Sequence, residues 1–287
     1  MAIVLIALTF AGCIRSADQV VPESDVLAIA VVLVAGRSDV SLLAMHPHRF
    51  QSGSPPAIEL RLVGPGWEAA FSEEVDPADC RMTDLETWPG TSICLRARLP
   101  EAIRERTMYR ISGSGPEGPI SGATVVPSAP VILEPVDGQV FPPIHTDEDD
   151  FVVPIRFDVP SDVATLHSEV VDAVEIQSDG LQEPVGPMSC QPMVLDVQTG
   201  WADLRLSRAS PSLYKRLYLG QPVQLSVRLL GLGRHYANFF DVSGKYPVRQ
   251  PWPSFGLEGA YGYFAGAAPS TPVRISVRPT NTVDAAF

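Results

Sequence analysis

The chain has 287 residues, 45% hydrophobic and 19% charged, with 28 Pro, 22 Gly and a formal net charge of −12. That length suits about two domains; the apolar content excludes a disordered chain, and Pro and Gly without a period exclude collagen-like repeats. The acidic balance leaves no basic footprint to displace counterions, so nucleic acid is not an expected partner.

Met1–Gly12, MAIVLIALTFAG, is an apolar run ending at Cys13. A bilayer span needs about 20 residues, whereas this is the length of a signal-peptide core. Phe10-Ala11-Gly12-Cys13 resembles the lipobox of bacterial lipoproteins, whose Cys is acylated and becomes the mature first residue. Phe10 stands where Leu is usual, and no Lys or Arg precedes the run, which leaves the true start codon open. A plain secretory signal or a buried strand are the alternatives. The expectation is a signal peptide and tether over 1–25 and an exported outer-membrane lipoprotein held by lipid on Cys13.

From residue 26 a β-sandwich of immunoglobulin or transthyretin-like type is predicted, running to 126. VLAIAVVLVAG is a β-branched run closed by Gly36, and SDVSLLAM is a second strand. AIELRLV alternates Ile58, Leu60 and Leu62 with Glu59 and Arg61, then Gly64-Pro65-Gly66 turns the chain into WEAAF, a hairpin. ICLRARL puts Ile93, Leu95, Ala97 and Leu99 inward and Arg96 and Arg98 outward; TMYRIS and ISGATVV follow around the turn-rich GSGPEGP. Cys80 and Cys94 flank a polar loop that a disulfide would staple, worth about 3 kcal/mol in the chain-entropy model. Cys190 is left over, either a buried thiol or an intermolecular partner.

Residues 127–133, opening on Pro127, read as a linker stiffened by proline. A second β-rich domain is predicted over 134–287. FVVPIRFDV, VVDAVEIQ, MVLDVQ, WADLRLS, QPVQLSVRLL and STPVRISVRP are its strands. Two helices interrupt it: Ser210–Leu219, with Ser210 at the N-cap and Pro211 at the first helical position, and Arg234–Val242, with Tyr236, Phe239 and Phe240 on one face.

Three stretches in order carry a family resemblance: VLVAGRSDVSLLAMHPHRF with PAIELRLVG, then MYRISGSGPEGPISGATVVPSAP, then RLLGLGRHYANFFDVSG with FGLEGAYGYFAGAA. Together they resemble the family called domain of unknown function 4249 (DUF4249), surface lipoproteins of bacteria. The resemblance implies an extracytoplasmic lipoprotein with an N-terminal β-sandwich, associated with outer-membrane uptake systems. It implies no catalytic residue.

Candidate chemistry is sparse. His46-Pro47-His48 would share a metal if it were a strand, but Pro47 favours exposed loop imidazoles. Asp147-Glu148-Asp149-Asp150, beside His145, offers hard oxygen ligands; Asp147, Asp149 and Asp150 form a weak calcium candidate without EF-hand spacing, against a solvated acidic loop. G-x-S-x-G, H-E-x-x-H and P-loop patterns do not occur. Gly256–Gly266, GLEGAYGYFAG, is the most distinctive segment: Tyr261, Tyr263 and Phe264, with Trp252 upstream, are candidate ligand-contact aromatics, or else plug the end of the second domain. No cofactor is expected. The leading expectation is a non-enzymatic envelope protein that binds a ligand or partner as an accessory of an outer-membrane assembly. A purely structural scaffold and an extracytoplasmic hydrolase on a β-scaffold are the rivals.

Overall fold

A computed structural model describes residues 27–46, 56–76, 80, 91–141, 144–145, 151–176, 181–185, 190–193, 200–206, 210–243 and 254–278. In chain order the first strands are β1 (Ala28–Val34), β2 (Asp39–His46), β3 (Glu59–Gly64), β4 (Trp67–Ala70), β5 (Glu73–Val75), β6 (Thr91–Arg98), β7 (Met108–Gly115) and β8 (Gly118–Val125). Then come β9 (Val131–Glu134), β10 (Gln139–Phe141), β11 (Ile144–His145), β12 (Phe151–Asp158), β13 (Thr165–Ile176), β14 (Gln182–Pro184), β15 (Cys190–Met193) and β16 (Trp201–Arg205). Helix α1 (Pro211–Tyr218), β17 (Val223–Leu232), helix α2 (Arg234–Ser243), β18 (Ser254–Phe255), β19 (Leu257–Glu258), β20 (Tyr261–Pro269) and β21 (Val273–Val277) complete the set. The fold is mainly β with two short helices, and the strands form three sheets.

The first sandwich follows from period-2 alternation. β3 sends Leu60 and Leu62 inward and leaves Glu59 and Arg61 in water. It turns through Gly66, whose φ of +84° suits glycine, and pairs antiparallel with β4, as the sequence predicts. β3, β4, β7 and β8, with β19 at one edge, make a five-stranded sheet. Its Leu60, Leu62, Tyr109, Ile111 and Ile120 pack against Ile29, Val31 and Leu33 of β1, Leu42 of β2, and Leu95 and Ala97 of β6.

The second sandwich packs β12 and β16, from a four-stranded sheet, on β13, β17 and β21. Phe151, Val153, Ile155, Phe157 and Leu204 meet Leu166, Val170, Leu225, Val227, Leu229 and Ile275 there, and Leu213 and Leu217 of α1 close the core. Pro211 opens α1 as predicted; Ser210 holds the N-cap position in extended backbone, but its side chain makes no capping bond.

These two sandwiches are not separate domains. β20 lies parallel to β1, pairing Ala28–Val34 with 261–267, and antiparallel to the end of β17. The other half of β17 pairs with β21. One twelve-stranded sheet therefore runs through both halves. The division at 126 is corrected accordingly: the segment around 257–267 belongs to the first sandwich, where Leu257, Ala260 and Phe264 sit in the core. The physical reason is that β1 is apolar on both faces. Such a strand needs a neighbour on each edge and a layer on each side.

Residues 127–133 are likewise not a free spacer. Ser128 is buried; its N–H and its hydroxyl both donate to the Asp162 carboxylate at 2.9 Å, and Arg106 Nε donates to Ser128 Oγ at 2.7 Å. Val131–Glu134 is strand β9, paired with β12.

A third layer covers the other face of the large sheet. Tyr236 and Phe239 of α2 lie over Tyr263, Ala265 and Ala267 of β20, Ala28 and Ala30 of β1, and Leu43 and Met45 of β2. The expected Cys80–Cys94 disulfide is present, with 5.9 Å between Cα atoms, and it lies on this layer, where Cys80 packs.

Candidate functional site

The candidate aromatics are mostly interior. Tyr263 and Phe264 are consecutive in β20, so they point to opposite faces. Tyr263 is 1% exposed beneath α2, and Phe264 is 0% exposed in the first sandwich. Neither ring reaches a ligand, which corrects that expectation: a strand buried between two layers hides both faces. Tyr261 is partly buried against the α2 layer. His46 also departs from the exposed-loop expectation, because it ends β2 at 5% exposure. Cys13, His48, Asp147, Glu148, Asp149, Asp150 and Trp252 lie outside the described residues, as do the side chains of His145 and Cys190.

The Gly-rich segment builds a site of another kind. β7 turns Tyr109 and Ile111 inward, so Arg110 and Ser112 face water; β8 turns Ile120 inward and Ser121 and Ala123 outward. Across the edge of β8 runs β19, paired through Leu257 and Glu258 with Gly122 and Ser121. Between them is an open cleft of about 590 Å³, lined by Arg110, Ser112, Ser121, His235 and Glu258 among others.

Its polar groups are tied in place. Ser121 Oγ donates to Glu258 Oε2 at 3.3 Å, across 137 residues of sequence. Ala123 N donates to Gly256 O at 3.1 Å, and Ser254 Oγ to Leu257 O at 2.6 Å. Gly256 is required here: its φ is +73°, and a Cβ would stand 2.3 Å from His235 Nδ1. His235 Nδ1 lies 3.0 Å from Phe264 O. A carbonyl only accepts, so Nδ1 carries a proton and donates it there.

A second cleft of about 410 Å³ lies on the other side of β7, lined by Glu59, Arg61, Ser72, Ser112 and Ser114 among others. Ser112 borders both, so hydroxyls and charges form one continuous strip across the outer face of the sheet. Exposed Met108 and Val125, paired across β7 and β8, add an apolar end. Chemically the strip offers hydrogen-bond donors and acceptors on rigid strands. Ser121 bonds Glu258 directly rather than His235, so the three do not form a nucleophile–base relay. The strands that carry Ser112 and Ser121 were legible in the sequence. The arrival of Glu258 and His235 beside them was not, because only a long-range pairing brings them there.

No family model matches the chain, and no curated protein matches it. Among solved structures, the tandem Ig repeats of Dlar match at a TM-score of 0.30 and 11% identity, covering 90% of this chain and 100% of that one. The N-terminal Ig1-2 module of the Drosophila receptor protein tyrosine phosphatase DLAR matches at 0.28 and 13% identity, covering 86% and 99%. Pullulanase from Anoxybacillus sp. LM18-11 matches at 0.21 and 7% identity over 70% of this chain, which spans only 24% of the pullulanase. At such scores these likenesses carry no weight for function; the sandwich architecture rests on the pairing and the cores.

Proposed function

We propose that this chain is a non-enzymatic, lipid-anchored protein of the cell envelope that recognises a ligand or partner through the outer face of its five-stranded sheet, as an accessory of an outer-membrane assembly. The observation that carries the proposal is the cleft at β8 and β19: Arg110, Ser112, Ser121 and Glu258 surround an open floor on rigid strands. Such a set reads polar groups by hydrogen bonding. The exported address draws support from the Cys80–Cys94 disulfide, a bond that persists in oxidising compartments, and from the lipobox-like sequence at Cys13. The resemblance of its motif order to the domain of unknown function 4249 supports the same reading.

A hydrolase draws on the same cleft, because Ser121, His235 and Glu258 all line it. The bonding pattern disfavours that use, since Ser121 Oγ donates to the Glu258 carboxylate rather than to His235.

The test is photocrosslinking in intact cells from a benzophenone side chain at position 112, against a control at Tyr218, which is exposed on α1. A discrete adduct from position 112, weakened by Arg110→Glu and missing from position 218, is the expected result. Identical adduct patterns from both positions, or none from either, would sink the proposed face. Intact-mass measurement of the membrane fraction for wild type and Cys13→Ala tests the anchor separately.

A further inference from the structure

On the outer surface of the large sheet, Tyr236 of α2 is held from two sides. Its ring meets Tyr263 of β20 edge-on at 5.4 Å, and His167 of β13 edge-on at 5.4 Å. β17 lies between these strands and supplies Leu230, the register partner of His167. Phe239, one turn on, packs against Tyr263 at 4.8 Å. The helix thus bridges three strands. At its β13 end the seat is an imidazole.

That imidazole is 5% exposed, and its Nδ1 has no hydrogen-bond partner among the described residues. Among the described residues, these groups surround it. Tyr236 comes from α2 and Leu230 from β17, while Pro192 of β15 is the register partner on the other edge. Along β13 itself, Glu169 lies on the same face, but Arg228 Nε donates to its carboxylate at 2.5 Å. That anion is committed to Arg228. Nothing described on the packed elements offers His167 an uncompensated negative charge.

We propose that His167 is an acid-sensitive latch for α2: a proton taken up on its ring unseats Tyr236 and lifts the helix from the sheet, uncovering Tyr263, Ala265 and Ala267. A cation buried without a partner is expelled toward water. The helix is the element that gives way, because β13 is pinned along its length by β17, whereas Tyr236 meets His167 through its ring. Burial pushes the His167 ring down to about 4, so the seated helix excludes the proton that the lifted state accepts. An exported protein meets ambient pH directly, which is where such a latch has a use; the latch itself does not depend on the anchor or on the recognition face.

The test is hydrogen exchange on the full chain at about pH 7 and about pH 5, corrected for intrinsic rates. If the lifted state titrates as an ordinary imidazole, linkage raises its population about twentyfold between those conditions. The amides of 234–243 should lose protection by that factor in wild type, with β7 and β8 unchanged, and should keep it in His167→Phe. Equal loss in His167→Phe, or no selective loss in wild type, overturns the latch. Should His167→Phe fail to fold, the wild-type ring itself decides by NMR. Protonation coincident with helix release supports the latch; protonation with the helix in place overturns it.

Discussion

The two sandwiches use the same period-2 alternation but close their cores differently. The second draws every core residue from one stretch of chain, from Ile132 to Val277. The first combines residues from Leu27 to Val126 with Leu257, Ala260 and Phe264, contributed from far downstream. β1 is the reason: with apolar residues on both faces, it is completed by β20 at its edge and by α2 above it. The lesson is that the first sandwich is contiguous in space but not in sequence.

The sharpest way to break this comparison is to cut the chain. A chain ending at Val126 should show no cooperative denaturant transition, because it lacks the neighbour of β1 and part of its core. A chain starting at Val131 should retain one. A cooperative, soluble 1–126 fragment would show that the first sandwich stands alone.

Point substitution comes next in size. Phe264→Ala removes a fully buried ring from the first core and should cost about 3–5 kcal/mol in urea unfolding. The same measurement on Tyr218→Ala, exposed on α1, should stay within about 0.5 kcal/mol. Equal effects would mean that β20 does not carry the first core.

The disulfide should matter at a somewhat smaller level. The sequence separation of Cys80 and Cys94 is 14, so replacing both by Ala should cost about 3 kcal/mol in the chain-entropy model. Hydrogen exchange should place the loss in β6 and under α2. A loss centred on β12 and β16 would contradict the assignment of that bond to the first half.

The pH dependence is the finest test. The His167 ring lies at about 4 rather than the ordinary 6.5, so the unfolded chain binds its proton first. Its contribution is full above about pH 6.5, falls as pH drops toward about 4 and is flat below, amounting to about 3 kcal/mol. The Asp39 carboxyl, held below its ordinary 3.8 chiefly by its hydrogen bond with Arg37, and that of Glu73, held below 4.5 chiefly by Arg98, act in the lower window. Their contribution is present above those values and lost as pH falls through the folded ones. A stability curve flat from pH 6.5 to 4.5 would remove His167 from the account.

Much of this architecture was legible from local pattern. The hairpin β3–β4, the inward face of β6, the disulfide pair, and both helices follow from alternation, turn residues and helical spacing over fewer than about 20 residues. The Gly-rich segment was not. Gly and aromatic residues suggested a loop, yet Gly262 takes φ +102° with the site of a Cβ only 2.0 Å from Ile29 O, and Gly266 meets Val126 Cα at 2.5 Å. Those glycines admit β20 to the centre of the sheet. The cleft depends on the same event, since Glu258 and His235 reach Ser121 only because β19 and β20 cross back.

The sequence by itself determined the strand faces, the two helices, the stapled loop and the acidic, β-rich character of the chain, because each is written in residues near one another. Only the tertiary structure decided which strands are neighbours, that the halves share one sheet, that Tyr263 and Phe264 are core rather than contact residues, and where the polar strip lies. Parallel pairing between β1 and β20 joins segments more than two hundred residues apart, and its specificity comes from steric fit and the burial of two faces, neither of which has a local period to read.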